Sequence, residues 1–143
     1  MKSKRLNSWH LFYVDMYRVN VCLYVGDQSK MLDTAQRFFK KKLQRNYKNI
    51  IEDISHYVGS EDNTSQNWCM ESFDRNNYLT VIICVENINS DPETVVTLSH
   101  ECLHAAFFIA HFCGIEDDGH GFESLVYLHE RIFENFYKLK SSK

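Results

Sequence analysis

The segment Thr97-Leu98-Ser99-His100-Glu101-Cys102-Leu103-His104-Ala105-Ala106 holds the residues best suited to chemistry, and its centre reads HExxH. On an α-helix, residues four apart stand one turn above the other on one face. His100 and His104 then present two imidazoles to a common point, as a divalent cation requires. Glu101 lies one residue round from His100, so its carboxylate can reach a water at that cation without binding the ion. There it can take the water's proton, the general-base role in zinc hydrolases. The motif sits in an apolar run, with Val95, Val96 and Leu98 before it and Ala105 to Ala110 after it, which implies that the histidines are not exposed on the surface. Thr97, the uncharged Leu98, Cys102, Leu103 and Ala105, and the small Ala106 match the longer zinc-peptidase pattern, and no proline interrupts it. The bland reading makes His100 and His104 hydrogen-bonded core residues and Glu101 a surface charge.

Catalytic zinc takes three protein ligands and keeps a fourth position open. HExxH supplies two. Glu123 follows His104 by 19 positions and opens a helical pattern, where backbone amides and the helix dipole would fix its carboxylate. It is the favoured third ligand, and a plain helix-start charge is its bland alternative. His120 is the runner-up; its glycine neighbours suit a substrate-contacting or proton-donating group better. Asp117 and Asp118 could orient an imidazole from behind. Tyr127, one turn after Glu123, could stabilise an oxyanion, but packing is expected of it. His111 is two turns beyond His104, too far along the axis to share its cation.

The elements that must position these residues follow from periodicity. Strands are expected over His10–Met16 and Asn20–Val25, around a turn at Tyr17-Arg18. In the second, Val19, Val21, Leu23 and Val25 form one firmly apolar face. Asp27 can cap a helix over about Gln28 to Asn46, with Met31, Leu32, Ala35, Phe38, Phe39 and Leu43 on its apolar side and Lys40, Lys41 and Lys42 in solvent. A short helix fits Asn49 to Tyr57, and Gly59 to Gln66 reads as a polar, mobile loop with a solvated His56 just before it. Trp68–Phe73 and Tyr78–Val85 read as a hairpin, the second arm apolar enough for burial on both faces. Asp91 as N-cap and Pro92 at the first helical position start the HExxH helix, and Gly114 ends it. A last helix spans about Phe122 to Leu139.

At 143 residues the chain is expected to be one domain over 1–143, with 1–9 and 140–143 frayed. The fold class is α+β: a small antiparallel or mixed sheet of about four strands packed on the HExxH helix and the C-terminal helix. A net charge of −3 gives no electrostatic reason to expect nucleic acid or an anionic membrane as partner. No stretch approaches the roughly 20 apolar residues of a membrane span, and the basic start at Met1-Lys2-Ser3-Lys4-Arg5 is not followed by an apolar leader. The five cysteines are odd in number and lack CxxC spacing, with Cys84 and Cys102 in apolar runs. Reduced thiols and a cytoplasmic location are expected.

His100-Glu101-x-x-His104, then Gly114-Ile115, an acidic stretch and Glu123-Ser-Leu-Val-Tyr-Leu128 resemble the small zinc-peptidase-like proteins of tailed-phage genomes. The pattern covers roughly residues 78 to 130 and departs from the family's in Val126, where alanine is usual, and in His120. The resemblance implies a compact, gluzincin-like (minimal zincin) fold, with His100, His104 and Glu123 as ligands of Zn2+ and Glu101 as catalytic base. The expected activity is hydrolysis of a peptide or protein substrate. The expectation from another class is a phage-associated binding or structural protein with a non-catalytic metal site.

Overall fold

A computed structural model describes residues 7–43, 47–59, 66–115 and 120–140, the side chains of 120–122 excepted. The strands are β1 (Ser8–Val14), β2 (Val19–Val25), β3 (Trp68–Phe73) and β4 (Leu79–Val85). The helices are α1 (Met31–Leu43), α2 (Tyr47–Val58), α3 (Pro92–Phe112) and α4 (His120–Tyr137), with a 3-10 turn over Gln28–Lys30 ahead of α1. The four strands form one mixed sheet in the order β1-β2-β4-β3, as an α+β chain of this pattern should. β1 pairs with β2 and β3 with β4 as antiparallel neighbours. β2 and β4 run parallel, with Val21 opposite Val81 and Leu23 opposite Ile83.

Both faces of the sheet are covered. Val19, Val21, Leu23, Leu79, Val81 and Ile83 point into a core closed by Leu98, Cys102, Ala105 and Ile109 of α3 and by Leu128, Ile132 and Phe136 of α4. Cys22, Tyr24, Ile82, Cys84, Trp68 and Met70 point the other way, under Met31, Ala35 and Phe39 of α1 and Ile50 and Ile54 of α2. Each fully buried side chain of this size contributes about 1.5–3 kcal/mol, which is why two layers of helix are held so firmly. Every residue of β4 is buried, as its continuous apolarity requires of a central strand. β2 differs from expectation: its second face, Cys22 and Tyr24, is as buried as its first. A tyrosine reads as half-exposed by type, but here its hydroxyl donates to the Asp27 carbonyl at 2.7 Å, so burying it leaves no polar group stranded.

Turn chemistry is local and follows the sequence. Arg18 takes a left-handed φ of 53° to close the β1–β2 turn. In the β3–β4 turn, Asp74 Oδ1 accepts the backbone N–H groups of Asn76 at 2.8 Å and Tyr78 at 3.0 Å. Asp27 does cap, but it caps the 3-10 turn, accepting the Ser29 N–H at 3.0 Å, so α1 starts at Met31 rather than Gln28. The segment 60–65 within the polar stretch, and the end of the expected first helix at 44–46, lie outside the described residues. All five cysteines are free thiols.

Candidate metal centre

α3 carries the motif, and its limits are set by its own residues. Pro92, the chain's one proline, occupies the first turn, where its missing N–H has no partner to lose. Asp91 stands at the N-cap but makes no side-chain capping bond; Asn89 Oδ1 instead accepts the Asp91 N–H at 2.8 Å. Gly114 follows the helix at a φ of 70°, and the Ile115 N–H reaches back to the Ala110 carbonyl at 2.9 Å. Contrary to the expectation that no stretch approaches a membrane span, α3 is long and apolar enough to cross one by length and composition, but Leu98, Cys102, Ala105 and Ile109 lie packed on the sheet.

That packing decides how the motif is presented. The stripe Leu98, Cys102, Ala105 and Ile109 faces inward, so His100 and His104 fall on the outward side, and both are exposed. The burial expected from the apolar run is therefore corrected: the run feeds the core through the other faces of the helix. Glu101 is the buried member, only 6% exposed. The two Nε2 atoms lie 3.1 Å apart and the rings meet edge-on at a centroid distance of 4.7 Å. One ligand atom from each of His100, Glu101 and His104 lies within 4.8 Å of the others.

The donor set fits a divalent metal. Two imidazole nitrogens on one tetrahedral zinc, each at about 2.0–2.1 Å, stand about 3.3–3.4 Å apart. The observed 3.1 Å is close to that bite. Burial pushes the Glu101 carboxyl above its ordinary range, while the neighbouring imidazoles of His100 and His104 pull it back.

The two flanks of α3 are different. On one flank Ser99 meets α4: His129 Nε2 lies 3.0 Å from the Ser99 carbonyl and 3.1 Å from its Oγ. A carbonyl only accepts, so Nε2 carries the proton and His129 is held in that tautomer. On the other flank α3 lies beside β3, an edge of the sheet, with Phe112 against Phe73 at 5.9 Å between ring centroids. Cys69 of β3 packs against the core that holds Cys102, and its thiol is raised well above the ordinary value by burial and then by the Glu101 charge. Tyr57 of α2 is raised for the same two reasons, in the same order. Cys84, buried on the far face, is pushed up to about 12, by desolvation first and then by Glu101 and Glu86.

The sequence-chosen partners fare unevenly. His100, Glu101 and His104 come together as expected. Glu123 is exposed in the first turn of α4 and stands outside the three-residue group. Asp117 and Asp118 lie outside the described residues; His120 opens α4, and its side chain is likewise outside the description. Tyr127 was expected to pack, but it is 50% exposed, on the solvent side of α4. His111 is exposed near the end of α3, apart from the group. His129 and Cys69, which bracket the motif from its two flanks, are not discernible in the sequence: each meets α3 from a distant segment, and no spacing announces it. No family model, curated protein or solved structure matches this chain.

Proposed function

We propose that this chain is a metal-dependent hydrolase of the HExxH type, acting on peptide bonds with zinc as its ion. The observation that carries the reading is the pair of Nε2 atoms 3.1 Å apart on the open face of α3, with the Glu101 carboxylate beside them. His100 and His104 hold the ion. When bound it supplies Lewis acidity, polarising a carbonyl and lowering the pKa of water toward about 7. Glu101 takes a proton from the attacking water and returns it to the leaving amine. Its partial enclosure suits this, because a carboxylate shielded from bulk water holds a proton more readily.

Glu123 is the third ligand we assign. The Ser99–His129 contact sets the register of the two helices, and the short connection after Phe112 turns the chain back. Five residues on from Ser99 is His104, about 7.5 Å along α3, and six residues back from His129 is Glu123, about 9 Å along α4. The two stand at similar heights. The likeness to phage zinc-peptidase-like proteins supports the same assignment. An extended substrate adds to the edge of the sheet beside α3, and in this fold that edge is β3 rather than its hairpin partner β4.

A second reading rests on the same distance: 3.1 Å also suits a direct N–H···N hydrogen bond between two neutral imidazoles, with no ion or with one that is only structural. The experiment that separates them is Glu101→Gln in zinc-loaded protein against a peptide library. Cleavage by the wild type, lost in a variant that still binds zinc, supports the hydrolase. A wild type that binds zinc without cleaving, indistinguishable from the variant, supports the second reading.

A further inference from the structure

A cleft of about 480 Å³ runs along the outer side of β3, between that strand and α2. Asp53, His56 and Tyr57 of α2 line one side, and Met70, Glu71 and Phe73 of β3 line the other. We infer that this cleft selects the substrate of the proposed hydrolase: an extended peptide added to β3, with a lysine or arginine side chain seated in the cleft that Asp53 and Glu71 both line. The inference rests on the reading above for its substrate class, and goes beyond it in naming the side chain.

Three features carry it. First, among the described residues β3 pairs with β4 alone, so the backbone groups on its other side have no strand partner there. A sheet edge of this kind pairs with an extended chain, and backbone bonds then fix the register while alternate side chains are read by neighbouring pockets. Second, the cleft lies along β3, the strand that packs beside α3 and its candidate metal centre. Cys69 packs against the core beside Cys102, next to Glu101, and Glu71 is two residues along on the same face of the strand. A peptide passing Glu101 therefore places a side chain at Glu71 about two residues from the bond beside the histidines. Third, the charge is one-sided. Glu71 is exposed, and Asp53 accepts the Ser72 hydroxyl at 2.6 Å. Phe73 offers apolar surface along which the aliphatic stem of a basic side chain can lie, its head in the cleft that Glu71 lines from one face of the strand and Asp53 from the other.

The test is binding, so that it does not depend on turnover. The full chain, zinc-loaded, is titrated with a fluorescent octapeptide of small and β-branched residues carrying one central arginine, and with the same peptide carrying glutamate or norleucine instead. The arginine peptide is expected to bind about tenfold more tightly than the norleucine peptide, the effect of two partly exposed charges. That preference should shrink in 0.5 M salt and disappear in Asp53→Asn/Glu71→Gln. Glu71→Gln alone, at an exposed position, keeps the test valid if the double variant folds poorly. N-methylation of alternate peptide amides should abolish binding. Equal binding of the three peptides, tighter binding of the glutamate peptide, no binding of any, or an arginine preference untouched by Glu71→Gln and by the double variant would overturn the inference. Cleavage without that preference would sink it while leaving the hydrolase standing; preferential binding without cleavage would do the reverse.

Discussion

Zinc should stabilise this protein through two exposed imidazoles, and the size of the effect can be worked out. A ligand that binds only the folded chain adds RT ln(1 + [L]/Kd), about 2.7 kcal/mol at a hundredfold excess over Kd. Unfolding a chain of 143 residues carries an entropy near 2.1 cal/mol/K per residue, or about 0.3 kcal/mol/K in total. The melting temperature of the wild type should therefore rise by about 9 °C at that zinc concentration. His104→Ala removes one of two nitrogens that stand 3.1 Å apart. Losing a supporting residue behind a ligand already costs 10–100-fold in affinity, so losing the ligand should cost at least about 100-fold. At the same zinc concentration the variant then gains only about 0.4 kcal/mol, a rise near 1.4 °C. Because His104 is exposed, the metal-free variant should melt within about 2 °C of the wild type. His56→Ala, an exposed histidine outside the group, should keep the full shift. Differential scanning calorimetry with a zinc titration reads all three. A wild type that zinc does not stabilise, or a His104→Ala protein that zinc stabilises as much as the wild type, would refute the chelate.

Three further outcomes are expected. Glu101→Gln should leave the zinc-induced rise intact and abolish hydrolysis. In the metal-free state, burial raises the folded-state pKa of Glu101 above its unfolded value, so stability from this group is present at low pH and is lost as pH rises through the folded pKa. Denaturant melts across pH 4 to 8 should therefore fall less steeply for Glu101→Gln than for the wild type, and identical slopes would contradict the burial argument. His129→Ala removes the bond that fixes Ser99 to α4 and should cost about 1–3 kcal/mol in urea denaturation, with weaker zinc binding if the helix register matters to the third ligand. Gly26→Ala should cost about 3 kcal/mol or more, since φ is 145° and an added Cβ would collide with the backbone nitrogen and Oδ1 of Asn7; a loss under 1 kcal/mol would show that this turn relaxes freely.

The elements themselves were legible because each is signalled locally. Pro92 and Gly114 bound α3, Asp74 organises the β3–β4 turn, and the unbroken apolarity of β4 marks a strand covered on both sides. The pairing of His100 with His104 was also fixed by the chain alone, because one turn of helix brings residues four apart together whatever surrounds them. Tertiary packing decided which way the pair faces. The apolar run around HExxH is equally compatible with buried and with outward histidines, and only the docking of Leu98, Cys102, Ala105 and Ile109 on the sheet turns the pair to solvent and Glu101 inward. Packing likewise made β2 and β4 parallel neighbours, left β3 at the edge beside α3, and set Ser99 against His129. Those relations join residues far apart in sequence, and no local periodicity encodes which distant segment will meet which flank of a helix.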